Sequence, residues 1–147
     1  MSEAHVWIGI QDVTVVPDGG DTIAFKPVSD DGVELEVTVE DLVFKSASGY
    51  YDHTVVTTHI SYQLTLTSKE INLTDLVNTN VGVNGNCTVA WTLVAKGGAS
   101  ENRTYSLDAK QSNEPGATGT DGGSATSAQL VFRGIATDGT TSPLTRP

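Results

Sequence analysis

Cysteine is almost absent from this sequence. The single residue, Cys87, rules out an intrachain disulfide. It lies in the apolar run 87–91, which predicts a buried thiol rather than a nucleophile, since free cysteine is among the most buried residue types. A structural zinc site needs paired Cys and His ligands, and the three histidines are scattered. We therefore predict no metal ion and no other cofactor.

Long apolar runs are missing as well. No segment approaches the roughly 20 apolar residues that a membrane span needs, so we predict no membrane contact. Residues 1–5 carry no basic stretch leading into an apolar run, which is the pattern of a secretory signal. We expect a protein that is made and folded in a cytoplasm. The length of 147 residues fits a single domain, 1–147.

Basic residues are few. The chain has 8 Lys and Arg against 18 Asp and Glu. The imbalance is concentrated in residues 1–52, which hold eleven acidic residues and two lysines. A surface of this kind repels nucleic acid rather than gripping it. Its simplest role is solubility.

Alternation of apolar and polar residues is the dominant pattern in the chain, and residues 33–40 show it most cleanly. Successive side chains of a strand point to opposite faces of the sheet. We predict a strand with one face in a core and one acidic face in water. The apolar set is Val33, Leu35, Val37 and Val39, and the polar set is Glu34, Glu36, Thr38 and Glu40.

Residues 53–68 form the longest alternating run. Unbroken, such a strand would reach about 50 Å at ~3.3 Å per residue, whereas strands usually have five or six residues. One face is apolar, with Val56, Ile60, Tyr62, Leu64 and Leu66. The other is polar but uncharged, with Thr57, His59, Ser61, Gln63, Thr65 and Thr67.

The remaining segments complete a mainly β fold. We predict further strands at 5–10, 13–16, 22–26, 87–96, 103–110 and 127–137, and one short helix between Ser68 and Asn80. Segments 41–52 and 111–126 are predicted to be flexible loops, and 139–147 a C-terminal tail. The predicted architecture is an antiparallel β-sandwich or barrel with one short helix and a long β-hairpin.

Catalytic motifs are not found. The sequence has no Gly-rich phosphate loop after a strand and no Gly-X-Ser-X-Gly elbow. Ser48 near Asp52-His53 does not make a triad, because local order in the sequence does not define one. Glu34 and Glu36 lie two residues apart on one open strand face rather than in a cleft. We predict that the protein is not an enzyme.

The order of elements resembles the tube proteins of long-tailed bacteriophages. The hairpin of that family corresponds to 33–40 and 53–68 joined by 41–52, and its helix to 68–78. The segment 130–139, followed by Ser142-Pro143, is similar to the closing strand. The resemblance covers most of the chain in its layout.

The resemblance implies a structural virion protein. Such subunits form stacked rings, hexameric in that family, and each contributes hairpin strands to one barrel. DNA passes through the lumen of the barrel without specific binding. The implied partners are further copies of this chain and other tail proteins, and the implied location is the virion tail, assembled in the host cytoplasm.

The resemblance also implies roles for particular residues. An acidic wall bearing hydroxyl and amide groups repels phosphate and offers it no anchor. The implied lumen-facing residues are Glu34, Glu36, Glu40, His59, Ser61, Gln63, Thr65 and Thr67. The apolar faces of 33–39 and 56–66 are expected to pack on the sandwich of the same subunit. The implied inter-subunit contacts are Phe44, Tyr50, Tyr51, Pro143 and Leu144.

Two other roles stay open, one structural and one in ligand binding. A capsid decoration or adaptor protein would also be rich in β-strands, but it would sit on a shell as a trimer or monomer. A carbohydrate-binding β-sandwich would be a monomer with an exposed aromatic platform. Calcium bound at the turn carboxylates Asp18, Asp21, Asp30 and Asp31 would suit the carbohydrate-binding role, although the spacing of these residues matches no EF-hand loop.

Overall fold

A computed structural model of the chain describes residues 7–28, 31–45, 47–95, 102–117, 119 and 126–147, without the side chain of Ile8. These residues form eight strands and one helix. The elements are β1 (Trp7–Pro17), β2 (Ile23–Phe25), β3 (Gly32–Lys45), β4 (Asp52–Ser68), α1 (Ile71–Asn80), β5 (Asn86–Ala95), β6 (Arg103–Gln111), β7 (Ala128–Gly134) and β8 (Leu144–Thr145).

The strands make one antiparallel sheet. Its order is β2-β1-β5-β6-β7-β4-β3, and β8 pairs with β6 beside the end of β7. The strands β2 and β3 are therefore the two edges. Side chains from strands far apart in this order, such as β1 and β4, belong to one buried cluster, so the sheet encloses its core as a sandwich does. The predicted mainly β fold with one short helix is confirmed.

The core lies on one face of the sheet, and alternate residues of each strand enter it. Leu64 and Leu66 of β4 meet Leu130 and Phe132 of β7 in this cluster, and all four are buried. The helix α1 adds Val77. A core of this kind supplies the main stabilising free energy of a domain, because apolar area is removed from water.

Cys87 lies in this core, as predicted. Burial raises the pKa of its thiol to about 12, since an apolar surrounding disfavours the thiolate.

We predict that iodoacetamide at pH 8 leaves the native protein unmodified and labels Cys87 fully in denaturant, as intact-mass spectrometry would show. Rapid labelling of Cys87 without denaturant would contradict the burial of its thiol.

Two predicted N-terminal strands are one strand. Residues 7–10 of the predicted segment 5–10 merge with the predicted segment 13–16 into β1, whose register against β5 shifts on both sides of Ile10, while residues 5 and 6 lie outside the described residues. Gly9 has a φ of 77°, which glycine adopts without steric cost, and such a residue is typical of a bulge.

Three segments that were predicted as loops or as a tail contain strand residues. Residues 41–45 belong to β3 and Asp52 to β4, so the predicted loop 41–52 shrinks to a short turn because the hairpin pairing continues outward. In the predicted loop 111–126, Gln111 ends β6 and is fully buried, and residues 118 and 120–125 lie outside the described residues. The tail 139–147 contains β8, because Leu144 is apolar and fills the core.

Candidate functional site

The β3–β4 hairpin extends beyond the rest of the sheet. The strand β4 pairs with β7 only from Gln63 to Ser68. From Asp52 to Tyr62 its only described partner is β3, which is itself the last strand of the sheet. We call residues 37–62 the arm. Its β3 side, 37–45, would extend about 30 Å at ~3.3 Å per residue.

The structure brings the predicted lumen-facing residues together. Cross-strand partners lie on the same face of an antiparallel pair, and the register joins Glu34 to Thr65, Glu36 to Gln63 and Glu40 to His59. We call this surface the polar face, and it consists of Glu34, Glu36, Glu40, His59, Ser61, Gln63, Thr65 and Thr67. Its position in a lumen stays a prediction.

Charge is distributed unevenly across the polar face. All three glutamates lie on the edge strand β3, and the β4 row beside them carries no carboxylate. On the other side of β4, Arg133 of β7 lies opposite Gln63, and Lys110 of β6 lies opposite Arg133. The same sheet face is therefore acidic at its β3 edge and basic near the end of β7.

A bulge interrupts β4 within the arm. The register passes from Glu40 opposite His59 to Asp41 opposite Thr57, which leaves Thr58 as an extra residue. The hydroxyl of Thr58 donates to the Glu40 carbonyl at 3.1 Å, and the hydroxyl of Thr57 donates to the Asp41 carboxylate at 2.9 Å. A one-residue slip moves every later side chain of a strand to the other face.

The bulge corrects one prediction about the apolar face. Val56 was expected to share a face with Ile60, but beyond the bulge it lies opposite Leu42, on the side of the polar face. The pattern did carry a signal: Val55-Val56 on one strand and Leu42-Val43 on the other are consecutive apolar residues, which no single buried face accommodates.

The apolar face packs on its own subunit only near the body. Val33, Leu35 and Tyr62 pack against the core. Farther out, Val37, Val39 and Ile60 are exposed, because β3 and β4 pair there with each other and with no further described strand. The expectation that the whole apolar face packs on the same sandwich is thus wrong for the arm.

The outer arm is apolar on both faces. Phe44 and Leu42 lie on one face and Val43 and Val55 on the other, and Phe44 is 51% exposed. An isolated two-stranded hairpin is only marginally stable in water. A contiguous exposed apolar surface is typical of an interaction site. The outer arm is therefore a candidate interaction surface.

The five predicted contact residues lie in different environments. Tyr50 and Tyr51, in the turn of the hairpin, are 98% and 85% exposed, and Phe44 is half exposed nearby. Their contact with another subunit stays a prediction. Leu144 is buried in the core of its own chain, so its prediction as an inter-subunit contact is wrong. Pro143 is partly buried, and its carbonyl accepts from the Asp108 amide.

A groove of about 500 Å³ runs along the outer edge of β4. Its floor is residues 57–62, and its far wall is the chain from Arg133 to Pro143. A Cβ on Gly134 would lie 3.0 Å from the Tyr62 Cβ and 3.3 Å from the Pro143 Cγ. Glycine therefore lets the backbone pack closely between Tyr62 and Pro143 at the point where β7 ends and the groove begins.

Asp138 holds the turn at the far wall of the groove. Its carboxylate accepts hydrogen bonds from the amides of Thr140 and Thr141 and from the Thr141 hydroxyl, at 2.7 to 2.9 Å. These bonds hold the pKa of this carboxyl well below its usual range, the Thr141 amide contributing most, because each favours the charged form.

We predict that an NMR titration of Asp138 has its midpoint well below the usual value of about 3.9. Because the folded pKa is depressed, the stabilisation is complete above the unfolded pKa and disappears as pH falls through the folded one. Thr141→Val, which removes one donor, should move the midpoint back up. A normal midpoint in the unchanged protein would contradict this turn.

The comparisons with protein families and with curated proteins give the chain no family. No protein-family model matches the chain, and no curated protein matches it.

Within the described ranges, no group of three His, Cys, Asp or Glu side chains is arranged to hold a metal ion. The described part of the chain contains no helix with the length and apolar character to span a membrane.

Proposed function

We propose that this protein is the tube subunit of a bacteriophage tail, and that several copies join their arms into one barrel around a DNA-conducting lumen. The observation that carries the proposal is the arm. It is a two-stranded extension whose two outer edges pair with no other described strand, and its outer part has exposed apolar residues on both faces.

Free edges favour further copies of the chain as the partner. An unpaired strand edge presents its amide and carbonyl groups to any other strand, and closure into a barrel removes such edges. A ring of identical arms satisfies the edges of each copy in the same way. The outer arm lies beyond the polar face, and subunits of the next stacked ring would cover both of its faces, which removes its apolar surface from water.

The polar face suits the inner wall of such a barrel. Its three glutamates repel the phosphates of DNA, and its hydroxyl and amide groups carry no positive charge that would hold them. DNA could then move along the wall without specific binding. In this assembly the protein would belong to the virion tail, with other tail proteins at the ends of the tube.

One observation favours a second function. Tyr50 and Tyr51 stand side by side and almost fully exposed in the turn of the hairpin, and exposed aromatic rings suit stacking on sugars. A carbohydrate-binding domain would remain monomeric and lose binding when both residues are changed to Ala. A glycan titration of the monomer would distinguish it from a self-assembling subunit.

A variant without the arm tests the proposal. Val37 lies opposite Tyr62, so an Asn-Gly turn can replace residues 38–61 and close a short hairpin. We expect the full chain to assemble in sedimentation velocity as concentration rises, and the shortened chain to stay a folded monomer. Equal assembly of both, or a full chain that is monomeric throughout, would overturn the proposal.

A further inference from the structure

We propose that the outer edge of β3 in one copy pairs with the outer edge of β4 in the next, with Arg133 as the counter-charge for Glu34 or Glu36 of β3. This inference rests on the proposed self-assembly and specifies its contact. It names two different edges of the same β3–β4 hairpin, so each copy uses both.

The direction of the strands agrees with this pairing. Copies related by rotation about an axis along the arm keep the same orientation, so their strands alternate in direction around the ring. Because β3 and β4 are antiparallel within one copy, β3 of a neighbour is also antiparallel to β4. The contact joins two different surfaces head to tail, which is the kind that closes into a ring.

The groove beside β4 is where the added strand would lie. The strand β7 occupies the position next to β4 as far as Gly134, opposite residues 63–68. Beyond Gly134 the chain turns away and leaves the edge of 57–62 along the groove. Both β7 and β3 run antiparallel to β4, so a neighbour's β3 would continue the line of β7 in the same direction.

Charge complementarity identifies the occupant. Arg133 is exposed, lies at the end of β7 where the groove begins, and forms no ion pair with the described residues. If a neighbour's β3 continues the line of β7, the N-terminal half of that β3 lies beside Arg133. This half carries Glu34 and Glu36, on the sheet face that Arg133 also occupies. The β4 row that it would adjoin, His59 and Ser61, carries no carboxylate to repel it.

A charge exchange between the two edges tests the contact. We expect Arg133→Glu to weaken assembly about 10-fold or more, because a close charge pair becomes a like-charge pair. Glu34→Lys or Glu36→Lys should restore assembly when combined with Arg133→Glu. Arg146→Glu is the control, because it makes the same change of charge at an exposed residue near the C-terminus.

The readout is the concentration for half-assembly, measured by sedimentation velocity at low salt, with circular dichroism to verify folding. Arg133→Gln provides a milder variant if Arg133→Glu does not fold. Recovery by either lysine variant supports the contact. Assembly of Arg133→Glu equal to that of Arg146→Glu, or recovery by neither lysine, overturns it while the tube proposal stands. An unchanged chain that never assembles overturns both.

Discussion

Phe44→Asp is expected to prevent assembly and to leave the monomer folded. Phe44 lies on the outer arm, is half exposed and does not belong to the core cluster. When neighbouring copies cover the arm, the new carboxylate would be buried without a partner, which costs far more than the lost apolar contact. Together these effects should raise the concentration for half-assembly roughly 100-fold or more, since burying a Phe contributes about 1.5–3 kcal/mol.

Val83→Asp is the matched control for this experiment. Val83 is as exposed as Phe44, but it lies after α1 and away from the arm. Sedimentation velocity and mass photometry of the two variants and the unchanged chain would give the comparison. Equal assembly of Phe44→Asp and Val83→Asp would show that the apolar surface of the arm is not the contact.

Phe132→Ala is expected to destabilise the monomer by about 3–5 kcal/mol, the usual cost of removing a core phenylalanine. Phe132 has no exposed surface and lies opposite Leu64 of β4. Phe44→Ala removes the same atoms from the arm and should cost no more than about 0.5 kcal/mol, as surface substitutions do. Urea unfolding of both variants at monomeric concentration gives the two values.

The difference between the two phenylalanines tests how the chain divides into body and arm. A large loss for Phe44→Ala in the monomer would mean that the arm folds back onto its own subunit. A small loss for Phe132→Ala would contradict the placement of Phe132 in the core. The expected outcome assigns Phe132 to stability and Phe44 to association.

The sequence predicted well the features that local alternation determines. The opposed rows of residues 33–40 became the two faces of β3, and the polar residues of 59–67 became the matching row of β4. Alternation has a period of two along any strand, so it can be read without knowing the partner strand. The polar face followed once the two strands were paired in register.

The features that were missed depend on contacts distant in sequence. The bulge at Thr58 exchanges the faces of the outer β4, and only pairing with β3 reveals it. Leu144 looked like part of an unpacked tail because its partners in the core are contributed by other strands. Gly134 packs closely against Tyr62 and Pro143 where the groove begins, and no local pattern in the sequence connects these three residues.

Negative-stain electron microscopy of the purified protein at rising concentration tests the central claim most directly. The account predicts rings or hollow tubes with a pore wide enough for duplex DNA, and their loss in the Phe44→Asp variant. Single compact particles at every concentration would contradict it, because arms with free edges and apolar faces would then have remained uncovered.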